Sequence, residues 1–160
     1  MQKLAQNLVR GLLAPGLALV LMVVPVAAAT TLPKTPEVMV EMIRKAIETK
    51  DYDALKTLVF WKGTGKIKKR IVRFHLNRNL GRKIKSISLE PFPEDGMKGI
   101  LATGKLAPNM KVSHFVRVVF DEAPIKRTGR YPTAVFLVGP HRDVYRIGLV
   151  NRAGPDDDDD

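Results

Sequence analysis

The period of the apolar residues changes once along this chain, near Ile84, and few folds accommodate such a change. Upstream, Met39, Ile43, Ala46, Ile47 and Lys50 fall at i, i+4, i+7, i+8 and i+11, the spacing of one helical stripe. Downstream the period is two: His114, Val116, Val118 and Phe120 alternate with Phe115, Arg117 and Val119. Helices first and a meander of strands after define an α+β chain, in which the helices cover one face of an antiparallel sheet.

Three helices and four to five strands are predicted. Thr35 suits an N-cap, Pro36 the first helical position and Glu37 the positive helix end, so the first helix opens there and runs through Val38–Lys50. Asp51 caps a second, shorter helix whose Leu55, Leu58 and Val59 face inward, and Gly63-Thr64-Gly65 ends it. Lys66–Leu80 fits two patterns. Ile67, Ile71 and Phe74 make a helical face, whereas Val72, Phe74 and Leu76 alternating with Arg73, His75 and Asn77 would suit a strand. Gly81 after Leu80, with Arg78 in the last turn, favours the helix. The strands read as Lys85–Glu90, Met97–Leu106, Lys111–Phe120, Thr133–Gly139 and Val144–Val150, separated by turn-rich stretches such as Pro91–Gly96 and Gly139–Asp143.

The two ends carry different signals. Residues 1–29 read as a signal peptide: Lys3 and Arg10 with no acid, an apolar Gly11–Val26, then Ala27-Ala28-Ala29 before a cleavage point at Thr30. The stretch is also long enough for an uncleaved membrane anchor, but Pro15, Pro25 and the Ala triplet favour cleavage. An extended lead-in at 30–35, a single α+β domain at 36–152 and an acidic tail at 153–160 follow. In the tail, Gly154-Pro155 and five aspartates have no apolar payload, which predicts disorder. The expected localisation is exported, periplasmic or secreted, with no transmembrane helix in the mature chain. The absence of cysteine excludes a disulfide framework, a thiolate nucleophile, a Cys-ligated metal and a Cys-linked lipid anchor, so the domain depends on its apolar core.

The helix Val38–Lys50 runs into Lys50-Asp51-Tyr52-Asp53-Ala54-Leu55-Lys56-Thr57-Leu58. That corner, and the closing hairpin in which Ala134–Val138 turns through Gly139–Asp143 into Val144-Tyr145-Arg146-Ile147, resembles the nuclear transport factor 2-like (cystatin-like cone) superfamily. The resemblance covers about Pro36–Val150. It implies a curved sheet wrapped around helices, a conical pocket open at one end, and a homodimer formed through the sheet. The superfamily hosts isomerases, dehydratases, hydrolases and transport adaptors, so the fold alone assigns no activity.

No catalytic constellation maps onto this chain. His114, in an apolar strand, is the candidate for a pocket histidine that could act as a general base near neutral pH, with Tyr145 and Trp61 as further pocket candidates. The plainer reading of His114 is a strand histidine bonded to a neighbour. Asp51 and Asp53 read as helix-capping and solvated acids, and Asp121-Glu122 as the start of a loop. Three scattered histidines give no metal-ligand spacing, five adjacent aspartates lack the geometry of a cation site, and no Gly-rich phosphate loop is present. Neither a metal nor a cofactor is therefore expected.

Charge supplies the strongest local signal. Lys3 and Arg10 take two of the 27 basic residues and Asp156–Asp160 five of the 16 acidic ones, so residues 30–155 carry 25 against 11, a charge of +14. Between Ala54 and Leu89 there are eleven cations and no acid, with Trp61 and Phe74 interleaved. Lys62, Lys66, Lys68, Lys69, Arg70, Arg73, Arg82, Lys83 and Lys85 are the candidate binding residues for an anionic partner. Outside the cytoplasmic membrane that partner would be an anionic envelope component or an acidic protein, since no specific nucleic-acid motif is present. Ile67, Ile71 and Phe74 opposite the cations also allow an amphipathic membrane-surface helix, but in a folded cone that face is expected in the core. Asp156–Asp160 could fold back onto the basic run and compete with its partner. The expected function is a non-enzymatic exported binding domain; the alternative is a small-molecule carrier or enzyme using the cone interior.

Overall fold

The computed structural model describes residues 31–152 except Glu94 and Met97, so the expectations for residues 1–29 and for the acidic tail lie outside the described residues. The chain is α+β. Three helices, α1 (Pro36–Glu48), α2 (Tyr52–Leu58) and α3 (Lys66–Asn79), precede a sheet of β1 (Ile84–Pro91), β3 (His114–Phe120), β4 (Thr133–His141) and β5 (Val144–Gly148). A one-turn helix α4 (Lys98–Leu101) and two short strands, β2 (Leu106–Pro108) and β6 (Val150–Arg152), complete the order.

The first corner follows from capping chemistry. Thr35 Oγ1 accepts the Val38 N–H at 3.3 Å with Pro36 at the first helical position, and Asp51 Oδ1 accepts the Ala54 N–H at 2.9 Å. Each such cap stabilises its helix by about 1 kcal/mol. Helix α1 stops at Glu48, short of the expected Lys50, whose backbone is left-handed (φ 59) and whose side chain is exposed. Gly81 closes this corner: its N–H donates to the Ile47 carbonyl at 2.7 Å, its φ is +70, and a Cβ there would run into the Lys50 side chain.

The large sheet has order β1-β3-β4-β5, antiparallel throughout. Its inner face is set by the two-residue period: Val116, Val118, Phe120, Phe136, Val138 and Ile147 are buried against Met39, Ile43, Ile47, Leu55, Leu58 and Val59. Inside the sheet, then, there is packed side chain. Arg146 Nε is buried on this sheet without a hydrogen-bond partner among the described residues, and that desolvation lowers the guanidinium's pKa from its ordinary value.

The strand reading needs three corrections. Met97–Leu106 is not a strand: Lys98–Leu101 is a helical turn, the chain turns again at Gly104 (φ 62), and pairing begins only at Leu106. Met97 itself is outside the described residues. Lys111–Ser113 precedes the strand that the alternation extended to Lys111, and it passes so close to β4 that a Cβ on Gly139 would strike the Lys111 carbonyl. Val144–Val150 is two strands, because Asn109 inserts at Leu149. Its Oδ1 accepts the Leu149 N–H and its own N–H donates to the Leu149 carbonyl, both at 2.8 Å, after which β6 leaves to pair with β2.

A fourth correction concerns α3, which is helical as favoured, but not with the expected face inward. Val72 and Leu76 pack on the core, while Ile67, Ile71 and Phe74 are 53%, 46% and 61% exposed. At 3.6 residues per turn these three lie roughly 140–200° around the helix from Leu76, so burying both rows is geometrically impossible on a helix packed from one side. Among the described residues no helix is long and apolar enough to cross a membrane.

Candidate functional site

Helix α3 begins without help. Gly65 is its N-cap and supplies no side-chain hydrogen bond, and its first turn holds cations where acids would be favoured. Its 14 residues carry six cations, Lys66, Lys68, Lys69, Arg70, Arg73 and Arg78, and no acid. Cations at the positive end of a helix are locally unfavourable, and three backbone N–H groups there have no helical partner. Among the described residues none of these six cations is ion-paired. The exposed row Ile67–Ile71–Phe74 runs among them.

A groove of about 320 Å³ opens along one side of this row. Gly65, Ile67, Lys68 and Ile71 form the α3 wall, and Leu106 of β2 with Val150, Asn151 and Arg152 of β6 form the other. Leu106 and Arg152 also line a more open depression with Lys105, so the groove continues toward the loop before β2. Its anchor is Asn151, which is 8% exposed. The Asn151 amide donates to the Gly63 carbonyl and, at 3.1 Å, to Thr64 Oγ1, fixing the start of α3 against β6. The Asn151 Oδ1 is buried without a hydrogen-bond partner among the described residues.

The structure divides the predicted basic patch into two kinds of cation. Lys66, Lys68, Arg70 and Arg73 are exposed on α3, Lys69 is half-buried, and Lys62 is exposed on the loop before it. Arg82, in contrast, makes a fork to Glu122 (Nε–Oε1 2.6 Å, Nη2–Oε2 2.9 Å) and lies 3.7 Å over the Phe120 ring. Lys83 pairs with Asp121 at 2.7 Å, and Lys85 sits 3.5 Å over the Tyr131 ring. Hydrogen bonding to Arg82 and Lys83 holds the Glu122 and Asp121 carboxyls below their ordinary pKa values.

The pocket candidates do not converge. His114 is half-buried at the end of β3, its Nδ1 2.9 Å from Ser113 Oγ, near the Glu37 carboxylate at the start of α1. Tyr145 is half-buried on β5, where its backbone N–H donates to the Pro33 carbonyl at 2.7 Å. β4 lies between them, so two strand spacings, about 10 Å, separate the backbones that carry them. Trp61 packs on the core edge and donates its Nε1–H to the Lys56 carbonyl at 3.1 Å. Among the described residues no group of three His, Asp or Glu side chains could hold a metal ion.

Sequence reasoning missed Leu106, Val150, Asn151 and Arg152, which become neighbours of α3 only through the β2–β6 pairing. It also misplaced Ile67 and Ile71, although the two apolar rows of α3 on opposite sides were a readable sign that one must be exposed. Comparison with protein-family models, with curated proteins and with solved structures found no match.

Proposed function

We propose that this chain is a binding domain that engages anionic membrane surfaces through α3. One observation carries the reading: a helix with no acid, whose six cations have no ion-pair partner among the described residues, also exposes Ile67, Ile71 and Phe74 in one row. This is the composition of a helix that lies in a lipid interface, apolar residues down and basic residues at the headgroups. Each large apolar side chain buried contributes about 1.5–3 kcal/mol, and each cation near an anionic leaflet roughly 1 kcal/mol. The two contributions are comparable, so removing either should weaken binding severely. Export directed by residues 1–29 would set this face against envelope membranes, on a domain of the cone type.

Cosedimentation of the full chain with phosphatidylglycerol-containing vesicles tests the reading. Binding should be strong at low salt, weaker at high salt, and absent on purely zwitterionic vesicles. Replacing Ile67, Ile71 and Phe74 together with Gln should remove it while leaving retention on heparin. Vesicle binding that survives this change, or that is unaltered when Lys66, Lys68, Arg70 and Arg73 become Ser, contradicts the proposal. Retention on heparin, DNA or an acidic protein without any vesicle binding assigns the basic face to a polyanion instead.

A further inference from the structure

The groove beside α3 is built differently from the surface of that helix. Both of its walls carry apolar side chains, Ile67 and Ile71 on α3 and Leu106 and Val150 on β2 and β6. Its charged lining residues are Lys68 and Arg152, both exposed and neither ion-paired among the described residues. Gly65, Ile67 and Lys68, at the start of α3, line the groove, and that helix end has no side-chain cap. Asn151 lines the same groove and is nine-tenths buried, its amide engaged with Gly63 and Thr64, so it fixes the groove floor and takes no part in holding the head. A volume of about 320 Å³ lies at the small end of ligand sites, which run from about 300 to 1,000 Å³.

We infer that this groove is a binding site for a single-chain anionic amphiphile, with one acyl chain between Ile67, Ile71, Leu106 and Val150 and a carboxylate or phosphate head held by Lys68, Arg152 and the start of α3. Every requirement of such a ligand has a counterpart here. An apolar slot of this size takes one chain and not two. The head meets a lysine point charge, an arginine fork and backbone N–H donors at a positive helix end. Binding an anion there also relieves the unfavourable cluster of cations in the α3 first turn. The site deepens the membrane-surface proposal, because it would take one amphiphile out of a lipid surface that α3 has engaged. It also stands without that proposal, since a monomeric amphiphile needs no bilayer.

The test uses the full chain and monomeric probes below their micellar concentration. Fluorescence of cis-parinarate should rise saturably, and laurate and dodecyl phosphate should displace it, their relative potency telling the two heads apart. Dodecanol should compete at least tenfold more weakly than either. Val150→Phe, which fills the slot, should lower laurate affinity at least tenfold while leaving vesicle cosedimentation intact. The surface charge reversal K68E with R152E should lose laurate and gain dodecyltrimethylammonium, an outcome that a merely unfolded variant cannot produce. Vesicle binding without saturable laurate binding overturns the groove and leaves the surface reading standing. Groove-dependent laurate binding without vesicle binding supports the groove and removes the surface reading. Laurate affinity unchanged by both groove variants, or equalled by dodecanol, overturns the inference.

Discussion

Asn109 holds together segments that lead into both walls of the groove. Its amide donates to the Phe60 and Lys62 carbonyls at 2.6 and 3.1 Å, and its Oδ1 accepts the Leu149 N–H at 2.8 Å. It therefore ties the loop before α3 to the point where the chain leaves the large sheet for β6. Asn109→Ala strands three backbone groups and should lower stability by about 2 kcal/mol in urea denaturation. Asn109→Asp keeps the Leu149 bond but sets a carboxylate against two carbonyls, so it should be no better than the alanine variant. The ion pairs act at a different pH. Glu90, Asp121 and Glu122 are each held below their ordinary values by their cationic partners, Arg117, Lys83 and Arg82 respectively. Their stabilisation is complete above the ordinary carboxylate values of 4.5 and 3.8 and is lost as pH falls through the depressed folded values. Thermal stability should thus decline on acidification below about pH 4.5, and the combined variant E90Q/E122Q should flatten that decline. A slope unchanged by those substitutions would locate the acid sensitivity elsewhere.

Helix α3 separates packing from exposure on one element. Leu76 is buried, so Leu76→Ala should cost about 2–5 kcal/mol, whereas Phe74→Gln should change stability by no more than about 0.5 kcal/mol. Denaturant melts of the two variants test this contrast. A large loss for Phe74→Gln would mean that the aromatic ring is part of the core. Outside α3 the reading of local patterns succeeds. The caps at Thr35 and Asp51, the inward Leu55, Leu58 and Val59, and the alternation in β3 are local patterns, and the structure holds all of them. Periodicity detects a helix but not which side packs when both sides are apolar, and so it places Ile67, Ile71 and Phe74 in the core. The split at Leu149 is invisible locally because its cause, Asn109, is distant in sequence. The groove is less legible still: its two walls come from segments that the β2–β6 pairing brings together, and the stretch before β2 carries a strand-like pattern with turns at both ends.

At the scale of the whole molecule, no cation of α3 forms an ion pair among the described residues. Glu122 and Asp121 pair with Arg82 and Lys83, between α3 and β1, and Glu90 pairs with Arg117 of β3, leaving the helix as the main positive element without ion pairs among the described residues. Asp156–Asp160 are the exception in reach. The chain passes Arg152 on the groove rim, and eight further residues span at most about 27 Å, against an α3 length of about 21 Å. Competition by the tail predicts that deleting Asp156–Asp160 raises affinity for anionic vesicles at low salt and has no effect at high salt. Equal affinities at low salt would exclude competition by the tail. The proposed membrane-facing role of α3 has a more direct test, made simple by the absence of cysteine. An environment-sensitive NBD fluorophore on Phe74→Cys should brighten and shift to the blue on adding phosphatidylglycerol vesicles, while the same label on Val135→Cys, exposed on the sheet, should not respond. A silent label at position 74, or an equal response at both positions, would contradict the account.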